Sequence, residues 1–379
     1  MVDNNASDLY LTVARPTMYR IDGAVKLVGE QHYRPQDLEA LAQSIMNERQ
    51  RREFAETMEM NLAMALPNVS RFRVNIYRQR GSVGLVIRRV KAEIESLAEL
   101  GLPLILGDIA MTKRGLVVVV GATGSGKSTT LAAMVDHRNS TEGGHIITIE
   151  DPIEFVHRHK KSIVTQREIG FDTHSYQAAL KNTLRQAPDV ILIGEIRDTE
   201  TMEAAITFAE TGHLCLSTLH SNNANQAIER IINFFPPARH AQIYLQLSLN
   251  LRAIVSQRLI PSLDGRRVAA LEILMDTPRI KDLIKKGDVA TIKEGMEQGV
   301  QEGCQTFDDA LFVLYKEREI TFDQAMINAD SANNLRLRIK LAGLKIDDEP
   351  EEAQPIETLA SQAKTVGVSH SGMFRLRRS

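Results

Sequence analysis

The stretch Gly121-Ala122-Thr123-Gly124-Ser125-Gly126-Lys127-Ser128 decides the fold of this chain. It matches the pattern G-x-x-x-x-G-K-[S/T], a P-loop, which holds phosphate groups. The apolar run Leu116–Val120 before it predicts a buried strand, and Thr129–His137 after it predicts a helix. Because glycines allow backbone conformations that other residues avoid, successive N–H groups can face one anion at the start of that helix. The stretch therefore predicts a phosphate-binding loop rather than an ordinary glycine-rich turn.

Two side chains of this loop suit a chain of phosphates. Lys127 adds a point charge for β- and γ-phosphates, and the Ser128 hydroxyl suits a Mg²⁺ ion shared with them. The predicted phosphate-binding residues are Gly121, Ala122, Thr123, Gly124, Ser125, Gly126, Lys127, Ser128 and Thr129.

Composition is that of an ordinary globular protein. Of the 379 residues, 43% are hydrophobic and 25% charged. This length is enough for two domains. The formal net charge of −2 gives no basic field for nucleic acid or an anionic membrane. Cys215 and Cys304 lack metal-like spacing, and Cys215 lies in an apolar run, which predicts that its side chain is buried. This cysteine usage indicates a reducing compartment. No apolar stretch approaches 18 residues and no signal peptide is present, so we expect contact with a membrane only through a partner.

The residues before the P-loop predict a separate small domain. Residues 1–98 form a mixed α/β pattern, with strands at Asp8–Val13 and Met18–Val28 and a helix starting at Pro35. A half-buried strand with a basic outer face follows, in which Phe72, Val74 and Ile76 alternate with polar residues. Pro67-Asn68 breaks the pattern before this strand, and Leu85–Val90 is its hairpin partner. Residues 99–114 are predicted to be the linker and lead-in helix.

The P-loop opens a second domain, residues 115–344, of alternating strands and helices. Right-handed crossovers place the P-loop at the carboxyl edge of a parallel sheet. The predicted strands are Leu116–Val120, Ile146–Ile149, Val190–Ile193, Leu214–Leu219 and Leu271–Met275. The predicted helices are Ser128–His137, Ser175–Gln186, Thr199–Thr211, Ala224–Phe235, Ala238–Arg258, Pro278–Lys286, Phe307–Lys316 and Ala332–Leu341. Residues 345–379 predict a disordered charged tail.

Hydrolysis also needs acids, and two strand ends carry them. The segment Asp189–Glu195 has the shape of a Walker B element, in which Gly194 leaves room for a ligand and Glu195 faces the Mg²⁺. The segment Thr148–Phe155 crowds three carboxylates, Glu154 among them, beside a proline. Solvated charge at a strand end is the alternative for each segment alone, and their joint presence after a P-loop disfavours it.

Histidines and arginines add weaker signals. His213 and His220 bracket the strand Leu214–Leu219, where a hydrogen-bonded structural role is the alternative. Arg73 and Arg88 lie on the basic hairpin, where a solvated face is the alternative to contact with a phosphate at a domain or subunit boundary.

These motifs, in this order and spacing, resemble the secretion-superfamily ATPases of type IV pili and type II secretion. The resemblance implies a RecA-like P-loop NTPase motor domain, an N-terminal PAS-like α+β domain and a homo-hexameric ring that hydrolyses ATP with Mg²⁺. It covers about residues 7–344 and is closest to the pilus retraction branch, through Ala6–Tyr10, Thr148–Val156, Gln166–Glu168 and Ala209–His220.

The resemblance also implies residue roles. Lys127 and Ser128 bind phosphate and Mg²⁺, Glu195 is the Walker B acid, and Glu154 is the general base or positions the attacking water. His220 senses the γ-phosphate with His213 in support.

The same resemblance implies that arginines of the N-terminal domain, Arg73 and Arg88, close on the phosphates when the two domains clamp together.

One stretch departs from the principal retraction ATPase. That branch carries A-I-R-N-L-I-R-E, whereas residues 279–286 here read R-I-K-D-L-I-K-K. This change and the charged tail resemble the accessory PilU-type paralogue.

The resemblance therefore implies a cytoplasmic motor at the inner face of the bacterial inner membrane. Its implied partners are a PilT-type retraction ATPase and the inner-membrane pilus platform protein, and its implied role is to power or assist pilus retraction.

Three alternatives stay open. One is a nucleotide-binding accessory subunit of low activity that acts through a partner ATPase ring. Another is a pilus-extension or type II secretion ATPase, which the two scattered cysteines disfavour because those relatives carry a four-cysteine zinc module. The last is a DNA-translocating motor, which the lack of a basic, aromatic-rich stripe disfavours.

Overall fold

The computed structural model describes residues 1–21, 23–66, 69–90 and 93–344. Two features predicted from the sequence, the break at Pro67-Asn68 and the charged tail 345–379, lie outside the described residues. The described chain forms two β-sheets with helices packed against them, which is an α/β fold.

The first sheet contains six antiparallel strands in the order β3-β2-β1-β6-β5-β4. The strands are β1 Asp8–Leu11, β2 Thr17–Ile21, β3 Ala24–Val28, β4 Glu59–Leu66, β5 Ser70–Gln79 and β6 Ser82–Val90, with helices α1 Pro35–Ile45 and α2 Glu48–Thr57. Buried side chains of β5 and β6 pack with those of the helices, among them Leu38, Phe54, Val74, Ile76 and Leu85.

The alternation that predicted β5 is confirmed. Phe72, Val74 and Ile76 are buried, whereas Arg71 and Arg73 face outward and are only half-buried. This period of two keeps the apolar side chains on the core face of the sheet and the arginines on the other.

Three details of this part of the chain differ from the prediction. Met18–Val28 is a hairpin of β2 and β3 instead of one strand, with Gly23 in the turn at a φ of +79°. The second helix was not predicted, because Glu48–Thr57 is too polar to show a clear apolar stripe. The edge strand β4 was also not predicted.

The second sheet contains seven strands in the order β13-β12-β7-β11-β10-β8-β9. All neighbours in it are parallel except the pair β12–β13. The strands are β7 Gly115–Val120, β8 His145–Glu150, β9 Ile163–Glu168, β10 Val190–Ile193, β11 Leu214–Leu219, β12 Leu251–Pro261 and β13 Arg267–Met275.

Helices cover both faces of this sheet. The helices are α3 Ile105–Ala110, α4 Lys127–Thr141, α5 Tyr176–Thr183, α6 Thr199–Glu210, α7 Ala224–Asn233, α8 His240–Asn250, α9 Pro278–Lys286, α10 Ile292–Gln298, α11 Phe307–Lys316, α12 Phe322–Asn328 and α13 Ala332–Leu341. Alternate residues of β7 enter two separate cores: Val118 and Val120 pack towards α6 and α7, and Val117 and Val119 towards α3 and α4. Continuous burial of this kind is expected for a central parallel strand.

The predicted helix Ala238–Arg258 is wrong in its second half. Helix α8 ends at Asn250, and Leu251 begins the long strand β12. This strand pairs with β7 on one side and β13 on the other, so its backbone hydrogen bonds are made within the sheet. Apolar spacing alone does not separate these two outcomes, because a buried strand and a buried helix both show apolar runs.

Other elements agree with the sequence more closely. The predicted parallel strands and the helices between them are present, whereas the edge strand β9 was missed and the lead-in helix is reduced to α3. Cys215 is fully buried as predicted, and its burial raises the pKa of the thiol. Over the described ranges, every helix is too short or too polar to cross a lipid bilayer. The domain boundaries at residues 98 and 115 stay predictions.

Candidate nucleotide site

The candidate site lies at the carboxyl edge of the second sheet. The P-loop follows β7, the acidic segment follows β8, Glu195 follows β10, and His220 follows β11. Parallel strands bring these four ends together, although the residues are as much as 99 positions apart in sequence (220 − 121). A cavity of about 240 Å³ at this edge is lined by Lys127, Ser128, Glu154, Glu195 and His220, with Thr123, Gly124, Glu150 and Thr218.

Glycine is required at two positions of the P-loop. Gly126, which precedes α4, has a φ of +89°, and a Cβ there would lie 2.7 Å from Gln257 Nε2. A Cβ on Gly121 would lie 2.5 Å from the Gln257 carbonyl oxygen. The side chain of Gln257 also accepts a hydrogen bond of 2.6 Å from the buried Thr130 hydroxyl, so β12 supports the loop from behind.

Lys127 folds back over its own loop. Its Nζ donates to the carbonyl oxygens of Gly121 and Ala122, at 2.9 Å each. Burial lowers the pKa of Lys127, and the nearby charges of Glu195 and Glu154 oppose that shift. The three side chains are therefore electrostatically coupled across one cavity.

The residues of the cavity suit a magnesium ion. The Ser128 hydroxyl and the Glu195 carboxylate both line it, and oxygen ligands are those that Mg²⁺ prefers. Within the part of the chain that the structure describes, no cluster of three or more His, Cys, Asp or Glu side chains suits a metal ion. Such a cluster is not needed for Mg²⁺, which usually takes one or two protein groups and completes its shell with phosphates and water.

Glu195 is held between the side chains of His220 and Arg197. His220 Nε2 lies 3.0 Å from one of its carboxylate oxygens, and Arg197 Nε donates to the other at 2.6 Å. Arg197 also reaches Asp151 at 3.5 Å, which connects the ends of β10 and β8. The hydrogen bond that Arg197 donates to the Glu195 carboxylate raises the pKa of Arg197. Arg197 was not selected from the sequence, although its place two residues after Glu195 was a usable signal.

The acidic segment contains two different glutamates. Glu150 accepts hydrogen bonds from the Thr148 hydroxyl at 2.6 Å and from Gln166 Nε2 at 3.2 Å, and burial raises its pKa. Glu154 is exposed and lines the cavity. Glu150 is therefore fixed within the protein, whereas Glu154 is open to a bound ligand and water.

Gly194 also has a role in packing that was not predicted; the room it leaves for a ligand stays a prediction. A Cβ there would lie 3.2 Å from the Glu150 Cα and 3.3 Å from the Tyr176 hydroxyl. The missing side chain therefore makes room for strand β8 and the Tyr176 ring, although Gly194 also lines the cavity.

The two predicted histidines lie at opposite edges of the sheet. His220 follows β11 at the cavity, whereas His213 precedes β11, with its Nδ1 3.1 Å from the Thr211 hydroxyl. A six-residue strand separates them, which is roughly 20 Å. The structure therefore does not bring His213 to the cavity of its own chain.

The predicted arginines lie beside the acidic segment. Arg73 Nη2 donates to the Ile153 carbonyl, and Arg88 Nε donates to Asp8 at 2.7 Å. Both line a second cavity, of about 210 Å³, together with Glu154 and Thr129. Their predicted contact with phosphate stays a prediction, and for Arg88 it requires a change in its pairing with Asp8.

Comparison with known proteins gives a family. The family model described as "Type II/IV secretion system protein" matches residues 1–318. The chain is 54% identical to the type IV pilus ATPase PilU of Pseudomonas aeruginosa over 90% of both chains. It is 42% identical to the pilus retraction ATPase PilT of the same organism, over 87% of this chain and 96% of that one.

A solved structure agrees. The crystal structure of the pilus retraction motor PilT with bound ADP aligns at a TM-score of 0.83 and 42% identity, covering 89% of this chain and 96% of that one. The chain belongs to the type II/IV secretion system protein family. Within it, the chain groups with the pilus ATPases PilU and PilT, which confirms the resemblance seen in the sequence motifs.

Proposed function

We propose that this chain is an ATPase motor subunit that acts in type IV pilus retraction and twitching motility. One observation carries the proposal: Lys127, Ser128, Glu154 and Glu195 line a single cavity at the carboxyl edge of a parallel sheet. The relatives of matching length are named as ATPases, and the matching PilT structure is described with bound ADP. Residues 115–344 then form a RecA-like P-loop motor domain, and residues 1–98 a PAS-like domain.

The chemistry assigns a role to each group. Lys127 and the loop N–H groups hold the β- and γ-phosphates of ATP, and Lys127 must leave the carbonyl oxygens that it now contacts. Ser128 and Glu195 would hold a Mg²⁺ ion, which would neutralise part of the phosphate charge when bound. Glu154 orients or deprotonates the attacking water, because Glu150 is half-buried and already accepts two hydrogen bonds.

Loss of the γ-phosphate provides the mechanical step. His220 contacts Glu195, so it is placed to respond to an anion between Glu195 and the P-loop. The N-terminal domain contacts the acidic segment through Arg73, so a change there alters how the two domains fit. We propose that six subunits form a ring at the cytoplasmic face of the inner membrane. The ring then displaces the pilus platform protein and works with a PilT-type ATPase.

The test is turnover by two variants of the full chain. Lys127→Ala removes the phosphate contact, so we expect ATP turnover to fall at least 100-fold with loss of nucleotide binding. Glu154→Gln keeps shape but removes the carboxylate, so we expect normal binding of ATP and turnover at least 100-fold lower. Steady-state phosphate release and binding of a fluorescent nucleotide measure both.

Glu297→Gln in the exposed part of α10 is the control and is expected to leave turnover unchanged. Normal turnover by Glu154→Gln would reject the assignment of the base.

A second candidate is an accessory subunit with little activity of its own. Its support is the stretch 279–286 on α9, where Ile280, Leu283 and Ile284 are buried while the basic residues lie on the outer face. The departure from the retraction motif thus falls on the surface and leaves the core intact. Turnover by the lone protein, compared with a mixture containing a PilT-type ATPase, separates the two candidates.

A further inference from the structure

The backbone of Ile153, the residue before Glu154, is held from two sides. Its N–H donates to Glu168 Oε2 at 3.4 Å, and its carbonyl accepts a hydrogen bond from Arg73 Nη2. That carbonyl belongs to the same peptide unit as the Glu154 nitrogen. The Ile153 side chain is fully buried, so this short segment is anchored by both packing and hydrogen bonds.

Glu168 connects this anchor to the other sheet. It is the last residue of β9, with its side chain 1% exposed, and Arg71 Nη2 donates to its Oε2 at 3.1 Å. Arg71 lies on β5 of the first sheet, two residues from Arg73, so both arginines point from the same face of that strand. Burial raises the pKa of Glu168, and both arginines oppose that shift.

Removal of Arg71 has a local consequence. The second carboxylate oxygen, Glu168 Oε1, is buried and has no hydrogen-bond partner among the described residues. Without Arg71 the carboxylate loses the cation bonded to it, and a buried charge of this kind takes up a proton or turns to water. Either change weakens the acceptor of the Ile153 N–H.

We propose that Arg71 and Glu168 are positioning residues for ATP hydrolysis. Their ion pair joins the first sheet to the second. Through Ile153 it sets the position of Glu154 relative to the cavity at the carboxyl edge of the second sheet. The inference rests on the proposed role of Glu154 and adds the means by which the orientation of the N-terminal sheet controls it.

The experiment uses the full chain with Arg71→Gln, Glu168→Gln and the double variant. We expect each single variant to lower kcat about tenfold while KM and the binding of a non-hydrolysable ATP analogue stay within twofold. Because both substitutions break one link, the double variant is expected to be no slower than the slower single variant.

Two controls separate positioning from general damage. Arg71→Lys keeps the positive charge at this position and is expected to recover at least half of the wild-type kcat. Arg78→Gln lies on the same strand and breaks an ion pair of 2.9 Å with Glu39, away from the acidic segment. It is expected to leave kcat and KM unchanged.

Hydrogen exchange provides a readout that does not depend on activity. In Arg71→Gln we expect the amides of residues 151 and 153–155 to exchange about tenfold faster, with the amides of residues 115–120 unchanged. Faster exchange throughout the second sheet would indicate global destabilisation and would overturn the inference.

Kinetic outcomes also distinguish this inference from the proposed function. A kcat of Arg71→Gln within twofold of wild type, or multiplied losses in the double variant, would overturn the link while Glu154 keeps its role. Normal turnover by Glu154→Gln would reject that role. In that case faster exchange confined to residues 151–155 in Arg71→Gln would still support the link.

Discussion

His157 shows how much one buried residue adds beyond its motif. It is 9% exposed and lines the nucleotide cavity, and its backbone N–H donates to Gln166 Oε1 at 2.8 Å. Its Nδ1 is buried and has no hydrogen-bond partner within the described part of the chain. Burial lowers its pKa to about 4, so the ring is neutral at physiological pH.

This residue predicts a loss of stability in mild acid. Unfolding restores the pKa of His157 from about 4 to 6.5, so the unfolded chain binds the extra proton. The contribution of His157 to the free energy of unfolding is fully present above pH 6.5 and is lost as the pH drops towards 4. It falls by about 2 kcal/mol between pH 7.5 and 5. Urea unfolding at these two pH values measures it. His157→Phe should remove most of this difference and the exposed His174→Phe should keep it; an unchanged difference in His157→Phe would contradict the assignment.

Residues in local motifs were predictable, and residues joined by tertiary structure were not. Lys127, Glu154 and Glu195 come together because each follows a parallel strand, which the sequence pattern indicates. His213 and His220 are close in sequence, but the strand between them puts them at opposite edges. Arg197 was missed because its value lies in its contacts with Glu195 and Asp151.

At the scale of elements, strand β9 acts as a support for the acidic segment. Gln166 Nε2 donates to Glu150 and to the Phe155 carbonyl, while its Oε1 accepts from the His157 N–H. The strand was absent from the prediction because its sequence, I-V-T-Q-R-E, is short and mostly polar. Its existence depends on parallel pairing with β8.

Gln166→Met tests this support. The substitution leaves the Phe155 carbonyl and the His157 N–H without their partner, so we expect the free energy of unfolding to fall by about 2 kcal/mol. Chemical denaturation at pH 7.5 measures the change. The matched control is Gln242→Met on the exposed face of α8, which is expected to change stability by less than about 0.5 kcal/mol. A Gln166→Met protein as stable as wild type would show that β9 does not hold the segment.

At the scale of the whole molecule, two arginines of the first sheet contact the second: Arg71 binds Glu168 of β9, and Arg73 binds the Ile153 carbonyl of the acidic segment. The proposed ring requires that nucleotide change this fit in each subunit. We expect a hexamer in the presence of a non-hydrolysable ATP analogue, measured by light scattering coupled to gel filtration. The Lys127→Ala variant should not assemble when the analogue is added, so its mass should stay equal to that of the nucleotide-free protein. A wild-type monomer under every condition would remove the basis for the motor.

The strand order β7-β11-β10 has one more consequence. The phosphate loop and Glu195 stand on strands that are not neighbours, so two strand spacings, roughly 10 Å, lie between them. A phosphate chain bound at the P-loop would therefore have to extend past the end of β11 to approach Glu195. Under the proposed function, a phosphate chain shortened by its last group would end short of Glu195, and this difference in length would distinguish ADP from ATP.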